Sequence, residues 1–164
     1  MAKHKEEKTN ALRMLGQRGL DFKVHDYSDS GAVSGPDVAA ALGEDPEKVF
    51  KTLVTVGKSG QHYVFVVPVC RELDLKKAAA AVKEKNVAMI PQKELLPLTG
   101  YIHGGCSPIG MKKLFPTVLH TSAGELGTLC VSGGRIGLQV ELTPSALGQL
   151  TPYTLADIVT EEES

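Results

Sequence analysis

A pair of β-rich runs at the centre of the chain limits its folding most. Val49–Val56 (VFKTLVTV) and His62–Val69 (HYVFVVPV) lie either side of Gly57-Lys58-Ser59-Gly60. Runs of Val, Thr and Phe suit a pleated, packed surface, and a short Gly-bounded turn between them predicts an antiparallel hairpin. The second run is apolar almost throughout, so that strand is expected to be covered on both faces. A hairpin buried that deeply needs other strands beside it and helices over it.

The flanking segments supply both. Thr9 is placed to cap a helix carrying Ala11, Leu12 and Leu15 and stopping near Gly19. Phe22, Val24 and Tyr27 mark a first strand. Ser34-Gly35-Pro36-Asp37 reads as a capping box opening a short helix that ends at Gly43. Asp74 caps LKKAAAAVKEK, whose alanines give a small-residue packing face. Val87–Ile90, Thr117–His120, Thr128–Ser132 and Gly137–Leu142 are further strands, Pro91 begins a short helix through Leu96, and Thr143-Pro144 starts a last helix. Hairpins mixed with crossovers predict an α/β (α+β-like) fold, a mixed and partly closed sheet or barrel with helices around it. No GxGxxG follows a strand, which argues against a dinucleotide fold.

Composition removes several function classes. With 18 Lys+Arg against 19 Asp+Glu the net charge is −1, so the chain is not a broadly basic nucleic-acid coat, although a local basic cleft is compatible. Trp is absent and aromatics are 5%, too few for a base-stacking platform. No apolar run approaches the roughly 18 residues that span a bilayer, and the charged Met1–Lys8 lacks the apolar region of a secretory signal. Cys70, Cys106 and Cys130 have no CxxC spacing, which fits a reducing compartment, and the five histidines form no HxxxH. No metal site is expected.

Three places carry candidate chemistry. Gly104-Gly105-Cys106-Ser107-Pro108-Ile109-Gly110 is either a structural turn or a loop whose backbone N–H groups approach an anion. Ser107-Pro108 would then open a helical stretch ending in Met111-Lys112-Lys113. Val131-Ser132-Gly133-Gly134-Arg135 is explained equally by a hairpin turn, with Arg135 a solvated turn charge. Lys51 stands among apolar strand residues, so either its stem snorkels to water or its ammonium reaches into a cleft. Tyr27 is core or points into that cleft. Cys106 has no partner base recognisable in the sequence.

Four motifs then fall together. VFKTL (Val49–Leu53), LDLKKAAAAV (Leu73–Val82), TGYIHGGCSPIG (Thr99–Gly110) and VSGGRIGLQVEL (Val131–Leu142), in this order, resemble the YbaK family of aminoacyl-tRNA deacylases. That family is related to the editing domain inserted in bacterial prolyl-tRNA synthetases. The resemblance runs from about Thr9 to Ile158, within a single domain expected over 1–164 with loose ends at 1–8 and 160–164. It implies an enzyme that clears a wrong amino acid from the 3′-terminal adenosine of a tRNA. Lys51 matches the essential lysine of the family and Thr52 follows it in the same motif. Tyr27 matches a pocket tyrosine. Gly104 matches the first glycine of the GGxSPxG loop, whose N–H lies near the scissile ester; Gly105, Ser107 and Pro108 complete that loop. Ser132 matches the pocket serine of the VSGG turn, with Gly133 and Arg135 beside it. The chain departs from the family pattern at Gln139, where many members are acidic, and at Ile136, where many are basic. The resemblance further implies no cofactor, a cytoplasmic location, mischarged tRNA as partner, prolyl-tRNA synthetase as a second partner, and neither DNA nor membrane. Cys-tRNA(Pro) is the expected substrate; Ala-tRNA(Pro), or a non-catalytic RNA- or protein-binding module of the same fold, are the alternatives.

Overall fold

The computed structural model describes residues 9–32 and 35–161. Among these residues eight strands form two sheets. The larger has the order β4-β2-β3-β5-β8, built from β2 (Phe50–Gly57), β3 (His62–Pro68), β4 (Val87–Met89), β5 (Thr117–His120) and β8 (Tyr153–Ala156). The smaller has the order β1-β7-β6, from β1 (Lys23–Asp26), β6 (Leu129–Ser132) and β7 (Leu138–Leu142). The central hairpin forms as expected, with Phe50 opposite Pro68 and Val56 opposite His62. β3 then pairs parallel with β5, and β5 parallel with β8, so the larger sheet is mixed.

β3 is covered on both faces, and its alternation assigns each face a core. Val64 and Val66 point to the layer shared with the small sheet, beside Leu119, Val131, Val140 and Leu142. Tyr63, Phe65 and Val67 point the other way, against Ala78 and Ala79 of α3 (Leu75–Val82) and against Ile158. The small residues of α3 let its backbone come close to the sheet. Asp74 caps it by accepting from the amides of Lys76 (2.9 Å) and Lys77 (3.1 Å). The helix is shorter than its charged tail suggests, because Lys83 turns left-handed (φ 62°) and closes it.

α1 (Asn10–Arg18), α2 (Gly35–Leu42), α4 (Leu95–Thr99) and α5 (Pro144–Leu150) are the other α-helices among the described residues. Thr9 caps α1 and Gly19 ends it at φ 67°. The expected cap at Ser34 lies outside the described residues. α5 carries the Thr143 cap with proline in its first turn.

Two expectations are corrected. The sheets do not close into a barrel: they touch at one parallel bridge, Val49 with Cys130, and then diverge. The helix expected from Ser107-Pro108 does not form. Its carbonyls are taken by side chains instead: Tyr101 Oη donates to Ile109 O (2.6 Å) and Thr151 Oγ1 to Pro108 O (2.9 Å). Ser107 Oγ accepts the Ile109 amide (3.1 Å) and Gly110 sits at φ 79°, so no helical ladder can start.

Candidate active site

The divergence of the two sheets opens a cavity of about 420 Å³. The bridge sets its register. Two residues past Val49 lies Lys51, and two past its parallel partner Cys130 lies Ser132, so the two stand at the same level on neighbouring strands. Gln139 faces Ser132 across β6–β7, and His25 faces Gln139 across β7–β1. Lys51, Ser132 and Gln139 line the cavity, together with Tyr27, Thr52, His103, Gly104 and Cys106. Apart from Gln92 the rest of the wall is apolar, with Val38, Phe50, Val54, Val69, Ile90 and Leu95 prominent in it.

Five sequence-derived candidates therefore meet: Tyr27, Lys51, Thr52, Gly104 and Ser132. The other five frame the cavity rather than line it. Ser107 and Pro108 are buried beneath the loop and hold its path through the contacts given above. Gly105 is the seam between loop and turn: a Cβ there would lie 2.8 Å from the Arg135 backbone. Gly133 returns its amide to Leu138 O (2.8 Å), and a Cβ on it would meet the Leu138 side chain at 2.9 Å. Arg135 is half-buried, with Asp26 3.7 Å from its guanidinium.

Local chemistry explains each placement. The Gly105 amide bonds to Ile102 O (3.0 Å), a tight turn whose third residue, Gly104, has φ 90°. An L side chain is strained there, so glycine is required at the crest facing the cavity. The serine turn is anchored from α1. Thr9 Oγ1 donates to Gly133 O while accepting the Leu12 amide (3.1 Å), so one hydroxyl caps a helix and holds the turn. Ser132 Oγ accepts the Gly134 amide at 3.1 Å. The Tyr27 amide extends the β1–β7 ladder to Gly137 O (2.8 Å), carrying its ring to the cavity.

The electrostatics are lopsided. Among the described residues, Lys51 is the only lysine or arginine in the lining, no carboxylate lines it, and Lys51 has no ion-pair partner. Burial pushes the Cys106 thiol up to about 12, so it stays protonated and is a poor nucleophile.

The carboxylate nearest in strand register is Glu141, two residues past Gln139 on the same face of β7. Thr128 Oγ1 donates to it (2.6 Å), His25 Nε2 lies at 2.8 Å and Lys48 Nζ at 3.0 Å. Those three partners, the Thr128 hydrogen bond foremost, hold its carboxyl down at about 2. His25, Cys130 and Glu141 offer ligand atoms within 4.8 Å of one another. Sequence spacing hid this group because it is assembled across three strands. The Lys48 ammonium already occupies the carboxylate, which makes the arrangement an ion-pair clamp between the segment leading into β2 and the small sheet.

Comparison with known proteins gives the family and the fold. A sequence model described as an aminoacyl-tRNA editing domain matches residues 30–150. The chain belongs to this editing-domain family. A protein of Enterococcus faecalis provisionally named as a Cys-tRNA(Pro)/Cys-tRNA(Cys) deacylase is 46% identical over 164 residues, covering 99% of this chain and 100% of its own. A solved structure described provisionally as a trans-editing enzyme for prolyl-tRNA synthetase has a TM-score of 0.81 at 29% identity, over 93% of this chain and 98% of its own. A scaffold protein used for computational epitope grafting has a TM-score of 0.83 at 27% identity, over 93% and 96%. The editing domain here is thus an aminoacyl-tRNA deacylase, with mischarged tRNA as its substrate. Among the described residues no helix is long and apolar enough to cross a membrane.

Proposed function

We propose that this editing domain clears cysteine from Cys-tRNA(Pro) in trans, with Lys51 and Gly104 carrying the reaction and Ser132 binding the substrate. The observation that supports this is the shared cavity of these three residues, where the described residues supply one unpaired ammonium and no carboxylate. Lys51 acts as a positive point charge on the ester carbonyl or the terminal phosphate. The amide at the Gly104 turn faces the developing oxyanion, and a donor so placed is worth about 3–4 kcal/mol. Tyr27 and Thr52 contact the aminoacyl-adenosine, and Gly105, Ser107, Pro108, Gly133 and Arg135 hold loop and turn in place.

The cavity has no nucleophile–base pair of the serine-hydrolase kind. Ser132 Oγ is engaged with the Gly134 amide and the Cys106 thiol is protonated. The substrate supplies its own nucleophile instead. The cysteinyl sulfur attacks its own carbonyl, the new C–S bond replaces the C–O bond to the ribose, and the thiol proton passes to the departing 3′ oxygen. Position and electrostatics are what the protein contributes. A chemical filter of this sort separates Cys from Pro or Ala better than shape, which yields about 1–3 kcal/mol per methylene-sized difference.

The relative named for Cys-tRNA(Pro) and Cys-tRNA(Cys) supports cysteine as the cleared residue. Prolyl-tRNA synthetase is the proposed source of tRNA selectivity, since a net charge of −1 leaves little non-specific RNA affinity; the cytoplasm is the proposed location, as the family resemblance implies. The purified protein is to be given Cys-, Ala- and Pro-tRNA(Pro). Release of cysteine alone is expected; clearing of alanine but not cysteine would overturn the substrate assignment.

A further inference from the structure

Two side-chain oxygens in the cavity wall lack a hydrogen-bond partner, Gln139 Oε1 and Thr52 Oγ1. Gln139 is the more demanding of the two. Its residue is 6% exposed, and its amide oxygen only accepts. Its cross-strand neighbours do not serve it: neither Ser132 nor His25 places a donor within hydrogen-bond distance, and His25 Nε2 bonds with Glu141 instead. A buried acceptor left open destabilises the fold, so a ligand donor is the natural reason for keeping it.

The identity of that donor follows from the charge layout. With Lys51 in the lining and no carboxylate, an amine entering the cavity is repelled from the β2 side and meets only neutral acceptors. Gln139 lies two strands from Lys51 in the row set by the Val49–Cys130 bridge; regular strand spacing alone would separate their backbones by about 10 Å, and the divergence beyond the bridge widens that. An ester carbonyl drawn towards Lys51 leaves the adjoining α-amine facing β7.

We propose that Gln139 recognises the α-amino group of the aminoacyl substrate, its Oε1 accepting an N–H. This inference rests on the deacylase reading and adds to it a residue that specifies the acyl group as an amino acid. A glutamine does so without placing a carboxylate beside Lys51, which leaves the ammonium unpaired for the reaction.

The test compares three substrates: cysteinyl-tRNA(Pro); 3-mercaptopropionyl-tRNA(Pro), which keeps the thiol and lacks the amine; and cysteinyl-tRNA(Pro) ending in 2′-deoxyadenosine. Wild type is expected to prefer the cysteinyl over the mercaptopropionyl ester by about tenfold in kcat/KM, mostly through KM. Gln139→Leu should process both esters at the lower, mercaptopropionyl rate, and Gln139→Glu should restore the preference. Gln139→Met, of matching length, serves in the same way if the leucine variant folds poorly. Unchanged tenfold discrimination in Gln139→Leu or Gln139→Met overturns the inference. Loss of the ribose-versus-deoxyribose preference in its place also overturns it, since Gln139 would then read the 2′-hydroxyl. A wild-type protein that leaves cysteinyl-tRNA(Pro) intact would instead defeat the deacylase reading itself.

Discussion

Replacing Gly105 by alanine tests whether the seam between the loop and the serine turn sets the reacting geometry. The added Cβ would sit 2.8 Å from both Cα and C of Arg135 and 2.9 Å from Ile136 N. All three are backbone atoms of a turn pinned by Thr9 and by the Gly133–Leu138 bond, so no side chain can swing aside. Ordinary contact begins at 3.4 Å, and loop and turn must separate by roughly 0.6 Å to reach it. Overpacking of one methyl costs about 1–3 kcal/mol, which a domain with about 5–15 kcal/mol of stability survives folded. The displacement falls between Gly104 and Ser132, on opposite sides of the seam. Since a misplacement of about 1 Å can cost about 100-fold, a loss of at least about tenfold in single-turnover deacylation of Cys-tRNA(Pro) is expected. Gly16→Ala is the control. It lies in α1 with nothing within 4 Å of the new Cβ, and should add about 0.5–1 kcal/mol of stability while leaving turnover alone. A Gly105→Ala enzyme that turns over within about twofold of wild type would refute the seam as the determinant of geometry.

Other outcomes follow from the same structure. Lys51→Met should lower deacylation by at least about 100-fold without lowering the melting temperature, because it removes a half-buried ammonium that no carboxylate compensates; a variant with half the wild-type rate would exclude Lys51 from the reaction. Glu141 has a folded-state carboxyl held at about 2, below its unfolded value near 4.5, so its contribution is complete above about pH 5 and is lost as pH falls through that interval. Allowing for solvent screening, this is on the order of 2 kcal/mol. Urea midpoints between pH 5 and pH 2 should therefore fall more steeply for wild type than for Glu141→Gln, and parallel slopes would show the clamp to be idle. Iodoacetamide should label exposed Cys70 in the native protein and spare Cys106 and Cys130, with Cys106→Ala retaining turnover within about threefold; a 100-fold loss would make that thiol part of the chemistry.

Local chemistry was legible along much of the chain. The Thr9, Asp74 and Thr143 caps, the left-handed glycine after α1 and the hairpin around Gly57–Gly60 each depend on a few neighbouring residues. Errors arose where distant side chains outbid a local preference. Ser107-Pro108 has the makings of a helix start, yet Tyr101 and Thr151 take the carbonyls that helix would use. β8 was missed altogether. It is a four-residue edge strand after Pro152, held by parallel pairing to β5, and nothing in YTLA announces that partner.

The candidate site divides along the same line. Period and composition marked Lys51 as an anomaly, and residue type marked Gly104 and the Ser132 turn, because an ammonium in an apolar strand and clustered glycines are conspicuous wherever they occur. Their meeting depends on the single Val49–Cys130 bridge and the divergence beyond it, a contact between residues 81 positions apart. Tertiary structure alone assigned Gly105, Ser107, Pro108, Gly133 and Arg135 to the frame. It also left Gln139 without a partner and gathered His25, Lys48, Thr128 and Glu141 into one clamp. A sequence records backbone preference and the cost of burying each side chain, which act over a few residues; which groups share a cavity is set by strand order and register, which act across the whole chain.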